Sequence, residues 1–205
     1  MSISELDQLL GSQTGIWRGL RSENQAWPVI ASGFAELDAL LPGGGWPLGG
    51  VLEILSPCLG IGELSLLLPA ISYLTQTQRW IAWIAPPHPP YAPALLQAGI
   101  DLNYVLVVDC RQANDIPWCL EKLLRSGRCG MTLAWPNRLG DHQIRRLQLA
   151  AETGSALAVL FPKQRNLGTG YTALRLSIKP TATGLVVQIL KARGSLQRAS
   201  ITLNL

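Results

Sequence analysis

The stretch 49–71, GGVLEILSPCLGIGELSLLLPAI, decides the fold of this chain. Its first apolar run indicates a buried strand, the glycines near residue 60 indicate a turn, and the leucine-rich remainder indicates a helix. A strand, a glycine turn and a helix in this order build the P-loop, which cradles the phosphates of a nucleotide. The sequence therefore predicts a strand, turn and helix of the P-loop type.

This P-loop lacks the side chains that bind a nucleotide. In the frame G-x-x-x-x-G-K-[ST], the four defining positions hold Pro57, Gly62, Glu63 and Leu64. An acid replaces the lysine that reaches the phosphates, and a leucine replaces the hydroxyl that binds magnesium. We expect no cofactor and no metal here. Gly60 and Gly62 are explained by the dihedral angles of the turn, with retained nucleotide binding as the alternative.

Length and composition describe one globular unit. The chain has 205 residues, of which 48% are hydrophobic and 15% are charged, a balance that supports a sizeable core. No apolar run reaches the roughly 18 residues of a membrane span, and the start MSISELDQLL has neither a basic nor an apolar leader. We expect a cytoplasmic protein with no membrane contact.

The four cysteines form no C-x-x-C pair and lie in or beside apolar segments. Such cysteines are typical of buried, reduced thiols rather than disulfides or zinc ligands. The sequence therefore assigns them no chemistry.

Most of the chain alternates strands with helices. Residues 2–10 are predicted as a helix, followed by a polar arm at 12–28 that contains Trp17 and Trp27. Strands are then predicted at 51–55, 80–85, 104–109, 131–135 and 156–161. The helix after the turn is predicted at 63–74, kinked near Leu66 by Pro69. This alternation predicts an α/β fold with a mostly parallel central sheet, helices on both faces and antiparallel C-terminal edge strands.

Charge is divided unevenly along the chain. Residues 1–120 carry 4 Lys/Arg and 10 Asp/Glu, whereas residues 121–205 carry 13 and 3. A basic C-terminal half suggests an anionic partner, either nucleic acid or an acidic protein surface. The alternatives are that the two halves neutralise each other or that the charges form an ordinary solvated face. The candidate contact residues are Arg138, Arg145, Arg146, Lys163, Arg165, Lys191, Arg193 and Arg198.

The ordered run of segments resembles the core of the RecA/RadA recombinase family. SGFAELDALLPGGGWPLGGVLEI is similar to the family's lead-in to its P-loop, and MTLAWPN resembles its Walker B strand. Pro87 stands where the family has its catalytic glutamate, and Ala134 and Trp135 stand where it has the magnesium-orienting aspartate. The resemblance covers residues 31–205. It implies a single RecA-like domain that is a pseudo-ATPase and not an enzyme, preceded by an arm at 1–30.

Within this group, the sequence most resembles the ImuA family, on LPGGGWP, GIGEL, WIAWIAPPHPPYAPAL, LRSGRCG, RRLQLAAE and VQILKARG. This resemblance implies a non-catalytic adaptor of SOS-induced translesion DNA synthesis. The implied partners are an ImuB-like Y-family protein and an error-prone C-family polymerase, with RecA and DNA as further candidates. By the recombinase resemblance, contacts with DNA or a partner are expected at residues 136–142 and 163–171, the second lying in a glycine-rich loop predicted at 164–171.

The alternative is the related SulA family of cell-division inhibitors. Its resemblance lies in the middle of the chain, in the R-W-I strand, the AGI turn, LRSG and the strand ending at Trp135. It implies a protein that binds the tubulin-like FtsZ and blocks its polymerisation. Residues 31–62 and 171–205 favour ImuA, because the short inhibitors lack both. A third possibility, residual ATPase or kinase-like activity, requires measurable nucleotide binding.

Overall fold

The computed structural model describes residues 28–110, 112, 115–163, 170–194 and 198–204. The helix predicted at 2–10, both tryptophans of the predicted arm and most of the loop predicted at 164–171 lie outside the described residues. The division at residue 30 therefore stays a prediction.

A large mixed sheet forms the centre of the molecule. The strands are β3 (Gly50–Leu55), β4 (Trp80–Ile84), β5 (Val105–Val108), β6 (Cys129–Ala134), β7 (Leu157–Leu160), β8 (Leu174–Pro180), β9 (Gly184–Ala192) and β10 (Ser200–Asn204), and a separate pair joins β1 (Val29–Ile30) to β2 (Trp46–Pro47). In the large sheet they are ordered β10-β9-β8-β3-β7-β6-β4-β5. The strands from β8 to β5 in this order are all parallel, whereas β9 is antiparallel to β8 and β10 is antiparallel to β9. The predicted α/β fold, with a mostly parallel sheet and antiparallel C-terminal strands, is confirmed.

Helices cover both faces of the sheet. Successive side chains of a strand point to opposite faces, and Val51 and Leu52 accordingly belong to two different apolar clusters. One cluster contains Ile71 and the other contains Leu120, so the two faces are packed by different helices. The α-helices are α1 (Ala35–Asp38), α2 (Leu68–Gln76), α3 (Ala92–Gln97), α4 (Asp115–Arg125) and α5 (Asp141–Gly154). No helix within the described ranges is both long and apolar enough to cross a membrane.

The helix after the glycine turn begins later than its sequence pattern predicts. Helix α2 begins at Leu68, so Pro69 lies in the first turn rather than inside the helix. A proline costs no hydrogen bond in the first turn, because the first amides of a helix have no partner within it. The predicted kink near Leu66 is therefore wrong. Gly33 packs against the same proline so closely that an added Cβ would lie 2.4 Å from the Cβ of Pro69.

A buried glutamine joins α5 to the start of β3. The Oε1 atom of Gln148 accepts a hydrogen bond from the backbone nitrogen of Val51 at 3.0 Å, and its Nε2 atom donates to the carbonyl of Gly49 at 3.0 Å. Gln148 is buried, and buried backbone groups need such partners. The contact holds the strand that leads into the glycine turn.

Candidate functional site

The glycine turn encloses its own acidic side chain. Glu63 is buried, and its two carboxylate oxygens accept hydrogen bonds from the backbone nitrogens of Gly60 at 2.9 Å and Ile61 at 3.0 Å. Gly60 and Gly62 have φ angles of 79° and 104°, which glycine adopts without steric cost. Turn geometry thus explains both glycines. In a functional P-loop, backbone nitrogens of this kind point at phosphate oxygens; here a carboxylate of the chain itself accepts their hydrogen bonds.

The other positions singled out by the sequence comparison with recombinases, Pro87, Ala134 and Trp135, lie at the same end of the sheet. Pro87 is exposed in the loop after β4, whereas Ala134 and Trp135 are buried at the end of β6. The ring of Trp135 stacks on Trp83, with ring centroids 5.9 Å apart, and on Phe161, with centroids 5.0 Å apart. An aromatic stack therefore lies at the carboxyl ends of β4, β6 and β7.

These features together form an apolar recess at the carboxyl ends of β3, β4 and β6. The recess has a volume of about 320 Å³. Its lining includes Leu59, Leu64, Trp83, Tyr91, Leu95 and Trp135, together with the prolines of residues 86–90. The indole nitrogen of Trp83 is buried without a hydrogen-bond partner among the described residues, whereas the Glu63 carboxylate is held by the turn. The recess is suited to apolar groups rather than phosphates.

An exposed aromatic side chain extends this recess onto the surface. Tyr91 lines the recess and is 71% exposed. Large apolar groups clustered around a concave site are typical of surfaces that bind another protein. We call the recess, including Tyr91, the apolar site.

Three of the predicted basic residues gather around residues 170–172. The Nζ atom of Lys191 donates to the carbonyls of Gly170 at 2.7 Å and Thr172 at 2.8 Å. Burial lowers the pKa of Lys191, and the nearby Arg175 guanidinium lowers it further. The guanidinium of Arg145 lies 5.6 Å from the ring centroid of Tyr171. Arg193 donates to Glu152 at 2.9 Å, so part of this positive charge is neutralised within the chain.

Of the other predicted basic residues, one is paired and three are exposed. Arg146 forms an ion pair with Glu121, which also pairs with Arg125 at 3.2 Å. Arg138, Lys163 and Arg198 are exposed, and Arg165 lies outside the described residues. A role of these eight side chains in binding DNA or a partner stays a prediction.

A buried ion pair between β3 and β8 was not predicted. Glu53 and Arg175 oppose each other in the parallel register, and the Nη2 and Nε atoms of Arg175 lie 2.6 and 2.7 Å from the Oε2 atom of Glu53. The sequence signal is one charged residue inside each apolar strand, in VLEIL and LRLSI. Within the described ranges, no group of three or more His, Cys, Asp or Glu side chains is placed to hold a metal ion.

Comparison with known proteins shows that part of the chain is similar to the cell division inhibitor SulA. Residues 60–158, just under half of the chain, match the family model "Cell division inhibitor SulA". The chain is 34% identical to the SulA of Yersinia pestis (strain Pestoides F) over 93 residues, which are 44% of this chain and 54% of that protein. It is 31% identical to the SulA of Edwardsiella piscicida over 102 residues, 49% of this chain and 61% of that protein. The match thus spans little more than half the length of these relatives.

A solved structure, the crystal structure of SulA from Pseudomonas aeruginosa, is similar to 54% of this chain and to 96% of its own, with 26% identity and a TM-score of 0.45.

These findings contradict the predicted function of an ImuA-type adaptor in translesion synthesis. The prediction relied on residues 31–62 and 171–205, yet the structure gives much of these segments a structural role. They contain β3 in the middle of the sheet and β8, β9 and β10 at its edge. These two segments therefore complete the sheet, and their presence does not identify an activity. The partners that came with that prediction, an ImuB-like protein and a polymerase, are not supported. The comparisons instead relate residues 60–158 of this chain to the SulA cell division inhibitors.

Proposed function

We propose that this chain is a SulA-type inhibitor of cell division, which binds the tubulin-like FtsZ and blocks its polymerisation. The observation that carries the proposal is the position of the apolar site. Nearly all of the residues that line it, with Leu59 as the exception, lie within the segment that matches the SulA model. A shared segment that contains a concave apolar surface is a reasonable place for a shared binding activity.

The chemistry of the site favours docking over catalysis. Glu63 accepts the amide hydrogen bonds that a phosphate would need, and the stack of Trp83 on Trp135 lies beside it. Phosphoryl transfer depends on positioned cations and on a residue that orients the nucleophile. The positions considered for those roles carry Glu63, Pro87 and Ala134. The chain is therefore proposed to act by binding, without turnover.

The fold itself is proposed to be RecA-like, with a P-loop that has lost its ligand. Support comes from the strand, glycine turn and helix formed by β3, residues 60–62 and α2, which lie in the interior of a mostly parallel sheet. In this account the turn is kept because it sets β3 and α2 in register.

A polymerisation assay tests the proposed function. Purified FtsZ is assembled with GTP in the presence of increasing amounts of the full chain, and assembly is followed by light scattering and by sedimentation. We expect assembly to fall as the chain approaches a stoichiometric ratio, because a bound inhibitor removes subunits from the growing polymer. Unchanged assembly at stoichiometric chain, with no co-sedimentation of the two proteins, would contradict the proposal.

A further inference from the structure

Two of the four cysteines, Cys110 and Cys119, are in contact in the fold. Cys110 follows β5, and Cys119 lies on α4. Their Sγ atoms are 3.8 Å apart, with the thiol of Cys110 donating a hydrogen bond to the sulfur of Cys119. A disulfide requires sulfurs at about 2.05 Å, so the structure shows two thiols in contact and no bond between them.

The surroundings of this pair differ from those of the other two cysteines. Cys58 is exposed on the loop after β3, and Cys129 is buried in β6. Cys110 and Cys119 are both partly exposed, so a small oxidant can reach them while the two sulfurs remain in contact. The sequence pattern predicts buried, reduced thiols, because no two cysteines form a C-x-x-C pair and all lie in or beside apolar segments. The predicted burial is wrong for the exposed Cys58 and for the partly exposed Cys110 and Cys119.

We propose that Cys110 and Cys119 are a modification site, at which a hydroperoxide oxidises the two thiols to a reversible intramolecular disulfide. In the first step, the thiolate of Cys119 attacks a peroxide oxygen, the O–O bond breaks, and the leaving hydroxide takes up a proton to become water. Cys119 is then a sulfenic acid. In the second step, the sulfur of Cys110 attacks that of Cys119, the S–O bond breaks, and the hydroxyl leaves as water with the proton of the Cys110 thiol. Two thiols and one hydrogen peroxide thus yield one disulfide and two waters.

The environment of Cys110 assigns the roles of the two sulfurs, whose atoms lie 3.8 Å apart. Cys110 is held as a neutral donor: burial, the contact with Cys119 and the carboxylates of Asp115 and Asp109 raise its pKa to about 11. Cys119 is therefore the attacking sulfur, and Cys110 resolves the sulfenic acid.

The bond would tie the end of β5 to α4, close to the loop that forms one wall of the apolar site. The backbone nitrogen of Ala85 donates to the carbonyl of Val108 at 2.8 Å, and residues 86–90 follow directly. Ala85 has a φ of 46°, a conformation that few residues other than glycine adopt. Val108, Ala85 and both cysteines pack against the same apolar cluster. A disulfide would therefore restrain residues 86–90, which form one wall of the apolar site, at the point where the chain leaves β4.

Trypsin releases Cys110 and Cys119 on two different peptides, so a disulfide between them can be identified directly by mass spectrometry. Cleavage after Arg79, Arg111 and Lys122 releases peptides 80–111 and 112–122, each with one cysteine of the pair. The full chain is treated with hydrogen peroxide, remaining thiols are blocked with N-ethylmaleimide, and the digest is analysed by mass spectrometry without reduction. We expect the two peptides to be joined, with a mass two hydrogens below their sum, and to separate after dithiothreitol. The oxidised chain should migrate as a monomer on a non-reducing gel.

Matched variants complete the test. Cys119→Ser should abolish the joined peptide and leave Cys110 free to react with N-ethylmaleimide, whereas Cys58→Ser should leave the joined peptide unchanged. Recovery of the two wild-type peptides unlinked, with their cysteines either blocked or oxidised to sulfinic acid, would overturn the proposal. Linkage to Cys58 or Cys129 instead, or a disulfide-bonded dimer, would overturn it as well. The wild-type chain alone decides these outcomes, so they do not depend on the folding of a variant.

Discussion

The Oε1 atom of Glu63 accepts a hydrogen bond from the backbone nitrogen of Gly60 at 2.9 Å, and this contact closes the glycine turn on itself. Its second carboxylate oxygen accepts from Ile61 at 3.0 Å. A carboxylate thus lies where a P-loop would hold phosphate oxygens. The amides of Gly60 and Ile61 therefore have their hydrogen-bond acceptor within the chain itself.

Replacing Glu63 should weaken the fold. Glu63→Ala leaves two amides of the turn without their carboxylate, and we expect the free energy of unfolding to fall by about 2 kcal/mol. Glu63→Gln keeps one acceptor oxygen but places an NH₂ group against the second amide, so its loss should be smaller, at about 1 kcal/mol. Urea unfolding followed by circular dichroism measures both. Calorimetry of the wild-type chain with ATP and magnesium should show no heat of binding, because Glu63 already accepts the hydrogen bonds of the amides in the turn. A saturable heat of binding would contradict this expectation.

The buried ion pair of Arg175 with Glu53 should contribute far more to stability than the exposed pair of Arg146 with Glu121. The Arg175 side chain is 13% exposed, whereas that of Arg146 is 55% exposed. Arg175→Met leaves a buried carboxylate without its guanidinium, which costs about 3 kcal/mol, while Arg146→Met should cost less than about 1 kcal/mol. Denaturant unfolding of the two matched variants measures the difference. Equal losses of unfolding free energy in the two variants would mean that the buried Glu53 carboxylate does not depend on Arg175 for its stabilisation.

Gln148 should be similarly sensitive to substitution. Gln148→Leu keeps the approximate size of the side chain but removes the acceptor of the Val51 amide and the donor to the Gly49 carbonyl. Unsatisfied buried groups cost about 1–3 kcal/mol, so we expect a loss of that size in the free energy of unfolding. Gln97→Leu, at an exposed position of α3, is the matched control and should change stability by less than about 0.5 kcal/mol. A loss no larger than that of the control would exclude Gln148 as an anchor of β3.

The fold was predictable because its signals are local. The apolar run of β3 and the glycines after it specify a strand and a turn, and the later alternation of strands and helices specifies a mostly parallel sheet. Pro69 was misplaced because propensity alone does not say where a helix begins, and only the fold shows it in the first turn of α2.

The site was predictable only in part, because its contacts join segments that are far apart in sequence. The residue types at Glu63, Pro87 and Ala134 can be read from single positions of the sequence. The stack of Trp83 on Trp135 and the recess beside it depend on which strands become neighbours in the sheet. The approach of Cys110 to Cys119 likewise depends on how α4 packs beside the end of β5.

Tyr91 should matter for FtsZ binding if the proposed function is correct. Tyr91 lines the apolar site and is 71% exposed, whereas Tyr73 on α2 is 62% exposed and does not line it. Because both rings are largely in solvent, alanine at either position should leave the fold intact. An aromatic anchor at the centre of an interface contributes about 2 kcal/mol, so Tyr91→Ala should weaken FtsZ binding roughly 30-fold. Tyr73→Ala should leave binding within about twofold of the wild type.

The reactivity of Cys110 should increase steeply with pH. Its pKa is raised from 9.0 to about 11, chiefly by burial and then by the neighbouring Cys119 thiol and two aspartates. Only the thiolate is alkylated, so the rate of reaction with iodoacetamide should rise about tenfold per pH unit between pH 8 and 10, where the thiol form still predominates. The rate is measured from the alkylated fraction of peptide 80–111, with Cys58 in the same digest as the exposed reference. A rate for Cys110 that levels off below pH 10 would mean that its thiol ionises far more easily than its burial and its hydrogen bond to Cys119 imply, and Cys110 would then no longer be the neutral donor of the pair.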